Sequence, residues 1–294
     1  MPTAEELPAW SEPFEPSGRD ALARLPALDA IDREWAWGGA SGAGVSVAII
    51  DSGVEGNHPA VRGRLLESWS IELRDGETQA VPDTSGMDLF GHGTACAGII
   101  AGMAPEVDIV SIRVLGADLK GKGAAFAEAL EKAIHRPVQV ANLSLSSKSE
   151  ALFGAFHELA DEAYFNHVVL VSAANNVAGP SYPSLFSSVI SVAAHGEPDP
   201  WTFYYNPSPP VEFGAWGVDV PVAWRDGGMT VATGNSFAAP HITALVALIL
   251  SKHPGLTPFE VKAILAAVAN NERRPTSPAV SLHGARRASG LSPD

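Results

Sequence analysis

The sequence predicts an α/β fold: a single domain built on a mostly parallel sheet with helices on both faces. Three observations carry this. Short, nearly continuous apolar runs recur along the chain, as strands buried on both faces require. Longer segments with helical spacing of apolar residues lie between them. The two alternate from Asp29 to Asn271 with no internal repeat, the pattern of a sheet covered by its own crossovers.

The first strand is Val45–Ile50 (VSVAII). A helical pattern follows at His92–Ala101, then a strand at Val107–Val114 and a helix at Ala124–Ile134. On that helix Glu128 and Lys132 stand one turn apart and read as a pair on the solvent face. A strand at Val138–Leu145, a helix at Ala151–Asn166 and strands at Val168–Ala173 and Val189–Ala194 continue the alternation. The aromatic run Trp201–Asn206 (WTFYYN) reads as loop packing. Two helices, Ser236–Lys252 and Pro258–Ala269, close the domain. Thr257 can cap the last one, Pro258 suits its first position and Glu260 completes a capping box.

The domain thus spans residues 29–271, after a Pro-, Glu- and Ser-rich N-terminal extension over 1–28. Residues 272–294 lack hydrophobic periodicity and read as a flexible C-terminal tail. Of 294 residues 46% are hydrophobic and 18% charged, the balance of a globular chain. The 19 Lys and Arg against 33 Asp and Glu leave a formal charge of −14, which disfavours a nucleic-acid partner. A single cysteine, Cys96, excludes an intramolecular disulfide and a multi-cysteine zinc site. No run approaches the ~18 apolar residues of a membrane span. The acidic, proline-containing first residues do not read as an export signal, so a cytoplasmic location is expected.

Ligand and reaction sites of such sheets gather where strands end and helices begin. Three such junctions carry reactive residues. Asp51 ends the first strand in IIDSGVEGNHP. His92 stands between Gly91 and Gly93 at the mouth of a helix in LFGHGTACAGII. Ser236 opens the long apolar helix of TGNSFAAPHITALVALIL, surrounded by small residues. A serine hydroxyl needs a base to take its proton, and the base needs orienting. Histidine and aspartate supply those two roles, and a helix N-terminus offers N–H groups to a developing oxyanion.

These three blocks, in this order, resemble the subtilisin-like serine proteases (subtilases), and the resemblance covers nearly the whole middle zone. It implies a subtilisin-like three-layer sandwich and a serine endopeptidase with Asp51, His92 and Ser236 as its triad. By the same resemblance Asn175, in VLVSAANN, donates a side-chain hydrogen bond to the oxyanion beside the Ser236 N–H. A donor of this kind contributes roughly 3–4 kcal/mol in the transition state. The resemblance further implies a peptide or protein substrate bound as an extended strand. Leu119, Lys120 and Gly121 match one flanking segment, and Ser144, Leu145 and Ser146 the other. Gly123, Phe126 and Leu145 match the S4 pocket. Ala173, Ala174 and Ser181 match the walls and floor of S1, with Asn176 at its rim.

The chain also departs from the pattern. Asn235 precedes the nucleophile where most relatives have Thr, Ala174 replaces Gly before Asn175, and Ser146-Ser147 replaces a frequent Gly-Gly. The stretch GIIAGMAPEVDIVSIRVL runs straight from helix to strand, so the loop that holds tight calcium in relatives is expected to be absent. No metal or other cofactor is expected. Cys96, one turn after His92, reads as a small buried residue beneath the imidazole. Two other readings use the same residues. One is a dedicated cytoplasmic processing protease that removes a leader or passes the acyl group to an amine. The other is an inactive peptide-binding subtilase.

Overall fold

β1 (Ser46–Asp51) lies in the middle of the sheet, and its position explains its composition. Val47 and Ile49 point to one face and Ala48 and Ile50 to the other, all fully buried, so no polar alternation is possible. The structure is a computed structural model and describes residues 10–15, 25–208 and 210–271. The tail over 272–294 and much of the extension over 1–28 lie outside the described residues. Leu25, still within the extension, packs against the core.

The remaining strands are β2 (Leu65–Arg74), β3 (Glu77–Pro82), β4 (Asp108–Arg113), β5 (Val140–Leu143), β6 (Val169–Ala173), β7 (Ile190–His195), β8 (Phe203–Tyr205) and β9 (Phe213–Trp216). They form one nine-stranded sheet in the order β3-β2-β4-β1-β5-β6-β7-β9-β8. Every pair from β2 to β9 is parallel, and only the two edge pairs, β2–β3 and β8–β9, are antiparallel. A separate antiparallel pair joins β10 (Val220–Trp224) and β11 (Gly228–Ala232).

The helices are α1 (Arg33–Trp37), α2 (His92–Met103), α3 (Gly123–Ile134), α4 (Phe153–Phe165), α5 (Asn235–Lys252) and α6 (Pro258–Ala267). On one face, Ile100 of α2, Leu245 of α5 and Ile264 of α6 share a core with Val47 and Ile49. On the other, Leu130 of α3 and Phe156 of α4 pack on Ile50 and Leu143. This is the expected three-layer α/β arrangement. Fourteen consecutive residues of α5, Phe237 to Leu250, are buried, which is why that helix is apolar all round.

β1 is flanked by β4 on one side and β5 on the other, so the strand order reverses there. A crevice opens at such a point, beyond the carboxyl ends of the strands, and Asp51 is the last residue of β1 on that side.

Several elements were not anticipated. The β2–β3 hairpin turns through Asp75 and Gly76, both at positive φ, with Arg74 opposite Glu77. This is the two-residue turn that an Asp-Gly pair favours. The hairpin also redirects the expected Glu128–Lys132 pair. Glu128 Oε1 accepts the Ala80 N–H at 3.3 Å, and Lys132 Nζ sits 3.6 Å from the centre of the Trp69 ring. Both side chains therefore bind the hairpin and not each other. The Trp201–Asn206 segment supplies edge strand β8, paired with β9. Val138–Leu145 is shorter as a strand than expected, because Ser144 and Leu145 leave the sheet beyond Leu143.

The capping box of α6 forms as the sequence predicts: Thr257 Oγ1 accepts the Glu260 N–H at 3.2 Å, and Glu260 Oε2 accepts the Thr257 N–H at 2.7 Å. Thr257→Ala is expected to cost about 1 kcal/mol of stability. Urea unfolding of the two proteins checks this, with a lower midpoint and an unchanged slope expected.

Candidate active site

Asp51 is fully buried, and its carboxylate is aimed by the turn that follows β1: Oδ1 accepts the Ser52 N–H at 2.7 Å. His92, the first residue of α2, brings Nδ1 within 2.9 Å of Asp51 Oδ1 and 2.8 Å of Oδ2. The other ring nitrogen, Nε2, lies 2.9 Å from Ser236 Oγ. Three residues separated by 41 and 144 positions thus form one hydrogen-bonded chain. The packing that permits it is close. A Cβ at Gly93 would collide with the Gly53 carbonyl oxygen, so only glycine lets α2 approach the turn after Asp51.

A buried carboxylate that the motifs did not single out ties the two loops together. Asp88 accepts five hydrogen bonds of 2.7 to 3.0 Å. Oδ1 takes the Ser52 hydroxyl and the N–H groups of Phe90 and Gly91, and Oδ2 takes the N–H and hydroxyl of Thr94. Its charge sits at the N-terminus of α2, where the helix dipole favours an anion. The available signal was an Asp shortly before a helix start, a capping residue type.

Burial pushes the His92 imidazole down, but the Asp51 carboxylate and, to a smaller degree, Cys96 pull it up, and the ring sits well above the ordinary 6.5. Beneath the ring, Cys96 is fully buried and its Sγ lies 3.3 Å from Ser144 Oγ and 3.8 Å from Asp51 Oδ2. Burial pushes its thiol up. Asp51, His92 and Cys96 offer ligand atoms within 4.8 Å of one another, but those atoms are engaged in the contacts just given.

Ser236 is held through its backbone. Within a helix its carbonyl would accept the N–H four residues on, but that residue is Pro240, which has none. Ser144 Oγ donates to the orphaned oxygen at 2.9 Å. Ser144 accepts in turn from Asn142 Nδ2 at 2.9 Å, and Asn142 Oδ1 accepts from Thr243 of α5 at 2.8 Å. Ser144 therefore supports Ser236 from below in addition to lining the cleft.

The Ser236 hydroxyl opens into a cleft of about 670 Å³. Leu119, Lys120 and Gly121 line it, as do Ser144, Leu145 and Ser146, and both Gly123 and Phe126 belong to its wall. The N–H groups of Gly121 and Ser146 have no acceptor among the described residues, so both segments offer free backbone edges. Ala173, Ala174, Asn175 and Asn176 line the cleft near Ser236. Asn175 Oδ1 accepts the Val177 N–H at 2.8 Å, while its Nδ2 has no acceptor among the described residues. Ser181 is the exception among the sequence-derived residues. It is buried and does not belong to this lining, with its Oγ 2.9 Å from Ser184 Oγ. Ser147, beside Ser146, also lines the cleft, and Val114, Leu115, Lys122 and Val177 do so without having been anticipated.

Known proteins resemble this chain in sequence and fold. The model of the subtilase family matches residues 42–280. Subtilisin DY of Bacillus licheniformis is 30% identical over 248 residues, which cover 79% of this chain and 86% of that protein. Thermitase of Thermoactinomyces vulgaris is 29% identical over 234 residues, 76% of this chain and 80% of that one. A crystal structure of a cold adapted subtilisin-like serine proteinase matches with a TM-score of 0.66 at 28% identity, over 82% of this chain and 89% of the other. A mostly parallel sheet with its reactive groups at the switch point, and a family match over most of the length, lead to one conclusion: the chain belongs to the subtilase family.

Proposed function

We propose that this serine-type endopeptidase hydrolyses peptide bonds through an acyl-enzyme on Ser236. The observation that carries the reading is the unbroken chain of contacts, 2.8 to 2.9 Å long, from Asp51 through His92 to Ser236. His92 Nε2 takes the Ser236 proton as Oγ attacks the scissile carbonyl carbon. The Asp51 carboxylate holds Nδ1–H, fixes the tautomer and stabilises the imidazolium. The carbonyl oxygen, now an oxyanion, accepts from the Ser236 N–H and from Asn175 Nδ2. His92 then gives its proton to the leaving amine, and a water activated by the same imidazole releases the acid.

The substrate lies as an extended strand between the backbone edges at Leu119–Gly121 and Ser144–Ser146, a form of β-augmentation. Lys120, Lys122 and His92 are the titratable residues of the lining, and no carboxylate belongs to it among the described residues. A neutral residue before the scissile bond fits that lining, since nothing there would pair with a buried Arg or Lys. Phe126 supports an apolar side chain at S4.

A fluorophosphonate is expected to label the protein at Ser236 and to leave Ser236→Ala unlabelled, as read by mass spectrometry of the intact chain. Turnover in Ser236→Ala should fall by about 10⁶, a magnitude taken from subtilisin itself. A folded parent protein that takes no label would end the proposal.

The raised imidazole sets the pH dependence. His92 acts as a base only when neutral, so kcat/KM should rise with pH along a limb whose midpoint lies above 6.5. Asp51→Asn removes the main charge that opposes burial, so the limb should move to lower pH while kcat drops by about 10⁴. Rate profiles of both proteins between acid and alkaline pH check the sign.

Water and amines compete for the same acyl-enzyme, so product chemistry decides between hydrolysis and acyl transfer. Mass spectrometry of products from a peptide panel is expected to show cleaved acids. Cyclic or ligated products as the main species would replace hydrolysis with transpeptidation.

A further inference from the structure

Asn235 stands immediately before Ser236, and its side chain cross-links β7 and the segment that follows β6 to the helix that carries Ser236. Oδ1 accepts the Ala194 N–H of β7 at 2.8 Å. Nδ2 donates to the carbonyl oxygens of Ala174 at 3.0 Å and Asn175 at 3.3 Å. Its own N–H donates to Asn176 Oδ1 at 2.9 Å. The amide therefore uses its acceptor and both donor directions, and all of its partners are backbone groups.

Those partners matter because β6 ends at Ala173. The Ala174 N–H, which donates to Val192 O at 2.8 Å, ties the next residue to β7. Past that bond the chain turns out of the sheet into the cleft. The carbonyls of residues 174 and 175 would be free to rotate, and with them the peptide planes that aim the Asn175 side chain. We infer that Asn235 is a positioning residue for the oxyanion hole: it locks the backbone of Ala174 and Asn175 to the first turn of α5, and so sets the distance between the Asn175 amide and the Ser236 N–H. This rests on the reading of those two groups as the oxyanion donors.

The geometry has a direct consequence. One donor is the N–H of the residue after Asn235, and the other belongs to a residue whose carbonyl Asn235 holds. A single planar amide thus joins the two halves of the site, with few rotatable bonds between them. Such precision counts, because a displacement of about 1 Å in a reacting group costs about a hundredfold in rate. Asn176 closes the same loop from the other side by accepting the Asn235 N–H, which is an unpaired donor at the helix start.

The test is a double-mutant cycle in the full chain, with Asn175→Ala, Asn235→Ala and the pair, using the peptide amide cleaved best in a panel. Asn175→Ala is expected to lower kcat by about 10²–10³, the magnitude of one lost oxyanion donor in subtilisin. Asn235→Ala should lower kcat by about 10–100-fold with KM changed less than about threefold, the signature of an interaction made in the transition state. The double variant should be within about threefold of Asn175→Ala alone, because a misplaced donor costs nothing once the donor is gone. Affinity for a peptide boronic acid, which forms a tetrahedral adduct, should fall in step with kcat, while affinity for a cleaved peptide acid should hold.

Asn235→Asp separates the two halves of the side chain. It keeps an acceptor for the Ala194 N–H but sets a carboxylate oxygen against two carbonyls, so it should lose at least as much kcat as Asn235→Ala. Asn235→Thr keeps one hydroxyl donor, should lose less, and serves in the cycle if the alanine variant does not fold. Losses that multiply in the double variant, or a higher KM with unchanged kcat, overturn the positioning role and leave the oxyanion assignment standing. An Asn175→Ala protein with unchanged kcat removes the assignment itself, and the inference with it.

Discussion

Two loops that never meet in sequence are held against each other by one buried carboxylate. Asp88 accepts from Ser52, the residue after Asp51, and from Gly91 and Thr94, which bracket His92. Each hydrogen bond to a charged acceptor contributes about 1.5–3 kcal/mol against water, and leaving such a charge unpaired in the interior costs several more. The separation between Asp51 and His92 is therefore set by a rigid set of five bonds and not by the side chains themselves. Ser52 adds a second tie, since its Oγ also accepts the Gly93 N–H at 3.2 Å. The raised imidazole and the aligned proton path both depend on this junction holding still.

The sheet supplies the coarser alignment. At β1 the order reverses, so the crossovers on its two sides leave in opposite directions and open a crevice at its end. Asp51 enters it from the strand, His92 from the start of α2 and Ser236 from the start of α5, so every reactive group stands at an element terminus. At a terminus, backbone N–H groups lack intrahelical partners, which is where an oxyanion can be received. The same position explains the burial of Asp51 beside a half-buried Ser236: in the proposed mechanism the acid orients the imidazole, while the hydroxyl meets the substrate.

Much of this was legible in the residues. The five long apolar runs became the central strands because a strand buried on both faces has no room for polar residues. The capping box at Thr257 formed as written because it is local. The chain of contacts from Asp51 through His92 to Ser236 was readable because its members fall where strands end and helices begin. The β2–β3 hairpin escaped notice because its strands are half-exposed and mixed in polarity, although Asp75-Gly76 gave a turn signal of known type. Glu128 and Lys132 were misjudged for the same reason, since a helix face looks solvent-facing until the hairpin that covers it is seen. Ser181 was placed by correspondence alone, and a serine's contacts depend on the loop's path and not on its neighbours in sequence. Asp88 and Asn235 act through many short contacts to backbone groups of distant segments, and no periodicity records such contacts.

Ser236 shows how a break in helix regularity can be turned to use. Pro240 denies its carbonyl the usual partner, and a buried carbonyl without one costs about 1–3 kcal/mol. Ser144 removes that cost from below, with Asn142 and Thr243 completing the network back to α5. The arrangement leaves a small polar gap between Asp51, Ser144 and the helix, and Cys96 occupies it. A thiol suits the gap better than a methyl-bearing side chain would, because its weak S–H can face an oxygen while its bulk fills apolar space. It suits the gap better than a second hydroxyl too, since a strong donor there would compete for the Asp51 lone pairs that hold His92. Ser236 is thus fixed from beneath through its backbone carbonyl, which leaves its hydroxyl free to turn between the imidazole and the cleft.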